Sequence, residues 1–188
     1  MKNKLTKLEF KWICYDMGNS AFILLVATIL PIYFNYLSSS QGVAEHNYLS
    51  YWSYAASLST LIVALAGPIL GTLADYKDHK KKIFLTCAML GALALACFWI
   101  PSSWFAFLVL FIAAKVAYSL SLIVYDSMLT DITTEERMDA VSSKGYAWGY
   151  IASVVPFIIS LIFVLMYDKI GMTLKTCLLY TSDAADEL

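Results

Sequence analysis

Five long apolar stretches take up most of this chain: 12–37, 48–73, 83–100, 104–126 and 145–167. A helix needs about 20 mostly apolar residues to cross the hydrocarbon core of a bilayer. Helices suit that task because every backbone N–H and C=O is satisfied within the segment. Composition closes the alternatives. Hydrophobic residues make up 60% of the chain and charged residues only 14%, against roughly a quarter charged in a soluble domain. A water-soluble fold could not hide so much apolar surface, and disordered or disulfide-scaffold chains have different compositions. The pattern predicts an all-α, multi-pass membrane protein whose first partner is the lipid bilayer. The net charge of −1 gives no reason to expect nucleic-acid binding.

Lysine and arginine set the orientation. Lys2, Lys4, Lys7 and Lys11 precede the first span, Lys77, Lys80, Lys81 and Lys82 follow the second, and Arg137 and Lys144 follow the fourth. The intervening loops 38–47 and 101–103 carry none. The positive-inside rule therefore places residues 1–11 in the cytoplasm. The first span is too long and too polar, with Asp16 and Asn19, to be a cleaved signal. The third span is the shortest, and fits only if its flanks enter the interface.

Several polar residues fall inside these spans. Asp16, Asn19 and Ser20 share one helical face, and a carboxylate at that depth faces a cavity or a partner. Lys115, Tyr118, Ser119, Leu122 and Asp126 form a stripe on span four. Lys115 lies roughly 15 Å from either end of its span, beyond the ~6 Å reach of a snorkelling lysine. Its expected partner is a carboxylate of the protein or an anionic group on a substrate. Gly67 and Gly71 form a GxxxG pair, and Gly145, Gly149 and Ser153 recur every four residues, so both predict close helix packing. Pro156 should kink span five. Thr133 to Glu136 reads as the capping box of a short cytoplasmic helix ahead of that span. Tyr146, Trp148 and Tyr150 suit either an interfacial belt or a substrate lining.

Sites for chemistry are not visible. There is no HExxH, GxSxG or P-loop, and Cys14, Cys87 and Cys97 have no metal-binding spacing. His46 and His79 fall in opposite loops. The expectation is a protein that is not an enzyme and needs no cofactor or metal.

The segment Gly71 to Lys81 resembles the loop between helices two and three of the major facilitator superfamily, Gly-xxx-Asp-(Arg/Lys)-x-Gly-(Arg/Lys)-(Arg/Lys). Gly71, Asp75, Lys80 and the lysines after it fit. Tyr76 replaces the first basic residue and Asp78 the second glycine. Trp12-xx-Tyr15-Asp16-x-Gly18-Asn19-Ser20-Ala21-Phe22 is similar to the opening of the "unknown major facilitator" branch, which includes vacuole effluxers linked to autophagy. Tyr125-Asp126-Ser127 through Asp131 resembles that branch's helix-four exit. Ser142-Ser143-x-Gly145-Tyr146-x-x-Gly149-Tyr150 resembles its helix-five start. Together these cover residues 11 to about 155 in the right order.

The resemblance implies five helices of a six-helix N-terminal domain, residues 12–170, in a twelve-helix transporter working by alternating access. It implies a small solute, amino acids among the family's substrates, with Asp16, Asn19, Lys115, Tyr118 and Asp126 along the pathway. Asp16 is the candidate for proton coupling. Gly71, Asp75, Lys80 and Lys81 would form the cytoplasmic gating loop. With no targeting segment in view, the cell (inner) membrane is favoured over a vacuolar one.

Five spans are one short of such a domain. The tail 177–188, from Cys177 to Leu188, resembles the conceptual translation of a transposase-type sequencing adapter and is expected to be non-native. The missing C-terminal half would then be this chain's partner, and the fragment alone inactive. The alternative expectation is a complete five-span accessory or assembly subunit of a membrane complex.

Overall fold

The computed structural model describes residues 4–76 and 79–170. The tail 177–188 and the loop residues Lys77 and Asp78 lie outside the described residues. Five α-helices follow in order: α1 (Lys7–Ser40), α2 (Glu45–Ala74), α3 (Lys80–Ala96), α4 (Trp104–Ile132) and α5 (Glu135–Ile170). A 3-10 turn, Cys97–Trp99, follows α3. No strand occurs among the described residues. Among the described residues four helices are long and apolar enough to cross a membrane: α1, α2, α4 and, as far as Phe163, α5. The 17 residues of α3 give only about 26 Å against a hydrocarbon core of about 30 Å. The 3-10 turn adds about 6 Å of chain.

The helix ends follow from local chemistry. At the start of α1 the Thr6 backbone N–H donates to Glu9 Oε2 at 2.7 Å, and the Glu9 N–H donates to Thr6 Oγ1 at 3.2 Å. This reciprocal pair is a capping box. Two residues past the end of α1 the chain turns at Gly42, whose φ of 78° lies in the left-handed region that glycine enters without steric cost. The Val43 N–H then reaches back to the Ser38 carbonyl at 3.1 Å. Between α3 and α4 the chain is pinned by Gln41. Its side-chain amide donates to the Ser102 carbonyl, and its Oε1 accepts the Trp104 N–H at 3.2 Å.

The expected short cytoplasmic helix ahead of span five is not separate. Residues from Glu135 onward run into the span as one helix. No glycine or proline interrupts 135–144, so nothing there breaks the hydrogen-bond ladder. Pro31, Pro68 and Pro156 all lie within continuous helix.

The chain divides into two compact units. The first takes residues up to Leu30 and from Met128 onward, and so joins the start of α1, the end of α4 and α5. Its buried residues include Ile13, Phe22, Ile29 and Val141. The second unit is Pro31–Ser127. Its interior is aromatic: Phe34 stacks on Phe107 with ring centroids 6.1 Å apart, Phe98 lies 5.0 Å from Phe107, and Trp52 stacks on Phe111 at 4.2 Å. Leu58, Leu61, Leu65 and Ile69 on α2 point outward, a surface suited to lipid.

Candidate functional site

In the first unit Asp16 is half-buried and Asn19 buried on α1. Facing them on α5 is bare backbone. A methyl group at Gly145 would stand 2.7 Å from Trp12 Cζ3 and 3.2 Å from Asp16 Oδ2. One at Gly149 would stand 2.6 Å from Ser20 Oγ and 3.5 Å from Asp16 Oδ2. The Asp16 carboxylate thus lies beside two glycines: a side chain at 145 would crowd Trp12 and the carboxylate, and one at 149 would crowd Ser20. Ser153, one turn on, is buried and donates to the Tyr150 carbonyl at 2.9 Å. Tyr146 and Tyr150 are exposed, with their hydroxyls 3.1 Å apart.

In the second unit Lys115 is half-buried. Its Nζ donates to the Ala56 carbonyl at 3.4 Å and stands 5.9 Å from the centre of the Phe111 ring. Tyr118 lies one turn further along α4, packed beside Gly91 of α3. Asp126, at the far end of the stripe, is exposed. The stripe therefore changes surroundings along its length.

The loop after α2 is partly described. A methyl group at Gly71 would meet nothing within 4 Å, whereas one at Gly67 would stand 2.9 Å from Ile123 Cδ1. Asp75 is exposed, and its backbone N–H closes α2 on the Gly71 carbonyl at 3.2 Å. Lys80 Nζ donates to the Ser127 carbonyl at 3.3 Å, tying the start of α3 to α4, and Lys81 is exposed.

A further cluster lies at the start of α1 and α5, in the first unit. Glu9 is 1% exposed. Its Oε2 accepts from Thr6 and from Arg137 Nη2 at 2.8 Å, and its Oε1 accepts the Thr133 hydroxyl at 2.8 Å. Arg137 also donates to the Lys4 carbonyl at 3.1 Å. Burial pushes the Glu9 carboxyl up. The Thr6 N–H, the Thr133 hydroxyl and the Arg137 charge outweigh it and hold the group below its usual range. Among the described residues no group of three His, Cys, Asp or Glu could hold a metal.

Comparison with known proteins places the chain. The family model described as "Vacuole effluxer Atg22 like" matches residues 6–182. The chain belongs to the Atg22-like vacuole effluxer family. The match also runs over the first residues of the tail from Cys177. An uncharacterized MFS-type transporter, YxiO, of Bacillus subtilis (strain 168) is 38% identical over 170 residues, which are 88% of this chain and 40% of that protein. The chain thus spans well under half of that relative's length. No solved structure matches. The Atg22-like chain is a multi-pass membrane protein, as its apolar helices and its family agree.

Sequence reading missed the Glu9 cluster. Part of the signal was present: Thr6-Lys7-Leu8-Glu9 is a capping-box pattern, and Glu9 is a lone acid among lysines. Arg137 read only as a topology charge, and Thr133 only as part of a cap. The Thr133 hydroxyl instead serves Glu9, a residue 124 positions away in sequence.

Proposed function

We propose that the full-length protein is a secondary active transporter, not an enzyme. It moves a small solute across the bilayer by alternating access between two halves, and this chain supplies most of the first. Family membership over nearly the whole chain carries this reading. The relative's length supports the second half: the matched region is 40% of a protein named as an MFS-type transporter. In this reading Asp16, Asn19, Lys115, Tyr118 and Asp126 line the first half's side of the pathway. Asp75, Lys80 and Lys81 belong to a cytoplasmic gate, and the membrane is the cell membrane.

The solute class we favour is amino acids, with protons as the coupling ion and Asp16 as their carrier. Asp16 supports this by its setting: an intramembrane carboxylate, half-buried against the glycine backbone of α5. The test is uptake by the full-length protein in proteoliposomes under an imposed pH gradient, for wild type and Asp16→Asn. The expected result is gradient-driven uptake in wild type that Asp16→Asn uncouples. An unchanged pH dependence removes Asp16 from coupling. Absence of flux for every solute in an amino-acid panel overturns the substrate assignment. A long read of the source DNA across the Thr176 codon tests the missing half.

A further inference from the structure

Lys115 carries a charge that its surroundings do not use up. An ammonium has three N–H donors and no acceptor. The Ala56 carbonyl takes one, at 3.4 Å, near the long limit of a hydrogen bond. The Phe111 ring at 5.9 Å adds a cation–π contribution. Among the described residues no carboxylate pairs with Lys115, so its expected protein counter-charge is not found. The side chain is half-buried, deep in a helix whose ends lie beyond a lysine's reach. A charge at that depth is costly, and such residues mark pathways for ions and solutes.

The neighbourhood also offers an apolar surface. Trp52 of α2 is half-buried and stacks on Phe111 with centroids 4.2 Å apart. Phe111 is the ring under the ammonium, so the cation and the aromatic pair are contiguous. A single ammonium with no second cation among its contacts matches a single negative charge. A phosphate dianion would leave charge uncompensated there.

We infer that Lys115 is a specificity-determining residue that binds the carboxylate of the transported solute, with the half-buried Trp52, backed by the buried Phe111, offering the surface for the solute's apolar body. This rests on the transporter reading above. It adds that recognition runs through the carboxylate, so that the uncharged amide of the same solute is rejected.

The probe is phenylacetate, with phenylacetamide as its uncharged counterpart of the same shape. Binding to the purified full-length protein is read by quenching of tryptophan fluorescence, with Trp52→Phe identifying the reporter. Wild type should bind phenylacetate saturably and the amide at least about tenfold more weakly, the scale of one charged hydrogen bond. Lys115→Met should lose that preference and Lys115→Arg should keep it. The Met variant removes an intramembrane charge, so its thermal midpoint should equal or exceed that of wild type. Equal binding of acid and amide, a preference that survives in Lys115→Met, or no saturable phenylacetate binding overturns the inference. Uptake of solutes without the acid preference sinks the Lys115 assignment and leaves the transporter. The preference without uptake of any solute supports the Lys115 site and sinks the transporter.

Discussion

Replacing Arg137 by Met strands a buried carboxylate. Glu9 is 1% exposed and accepts from the Thr6 N–H, the Thr133 hydroxyl and Arg137. The substitution removes the counter-charge and one short hydrogen bond and leaves the other two. Breaking a fully buried pair costs about 3–5 kcal/mol. That figure is too high here, because the Arg137 side chain is 37% exposed and water screens it. A hydrogen bond to a charged group, about 1.5–3 kcal/mol, is the better guide, so we expect about 2 kcal/mol. Glu9→Gln keeps the shape and the acceptor for Thr6 but loses the charge, and should cost about 1–2 kcal/mol. The double variant should cost little more than the worse single one, a coupling of about 1 kcal/mol or more. The assay is thermal unfolding of the purified full-length protein in detergent at one scan rate, since membrane-protein unfolding is often irreversible. Additive losses in the double variant would refute the pair as a stabilising unit. The pH profile gives a second check. The Glu9 carboxyl lies below its ordinary value of 4.5 when folded. Its contribution is therefore full above that value and fades as pH falls through the lower folded value. Glu9→Gln should flatten this acid limb and leave neutral-pH behaviour shifted by a constant.

A series of glycine-to-alanine changes should rank by what each new methyl meets. Gly145→Ala meets the Trp12 ring at 2.7 Å, which cannot yield cheaply, so a loss of about 1–3 kcal/mol is expected. Gly149→Ala meets the Ser20 hydroxyl, and Gly67→Ala the tip of Ile123. Both ends can rotate away, so these should be milder, offset by up to about 1 kcal/mol of helix propensity. Gly71→Ala meets nothing within 4 Å and should be neutral or stabilising. Thermal midpoints for the four variants decide the order, and a Gly71→Ala loss exceeding that of Gly145→Ala would break it. Gln41→Ala should cost about 1 kcal/mol through the lost hold on Trp104 and Ser102, measured the same way, and should raise hydrogen exchange at residues 102–104.

What was legible in the sequence is what the bilayer dictates locally. Each apolar run maps onto a helix because lipid imposes length and backbone satisfaction segment by segment. Even the weakness of 83–100 shows, as a 17-residue helix finished by a 3-10 turn. The cap at Thr133 to Glu136 does mark a helix start, at Glu135, but the break expected between a short helix and span five is absent, because 135–144 contains no breaker. The glycine spacing at 145 and 149 was visible, but not that Trp12, Asp16 and Ser20 stand opposite. Pairings between distant segments leave no local period. Glu9 and Arg137 are 128 positions apart, and nothing in either flank names the other.

Three charged residues near or within the spans are treated in three ways, and the differences separate structure from function. Glu9 is saturated: both its oxygens are taken, and a cation stands beside it. A group so engaged and only 1% exposed is closed to a ligand, and its effect should be read in stability. Asp16 is placed close against the bare backbone of Gly145 and Gly149. Lys115 keeps donors that the carbonyl and the ring do not consume. An incompletely satisfied charge in a low-dielectric setting costs stability continuously, and an arrangement that costs stability persists where a transient partner repays it. Loss of Glu9 should therefore lower the thermal midpoint, while loss of Lys115 should leave it intact and remove recognition. The contrast between those two variants distinguishes a structural charge from a working one.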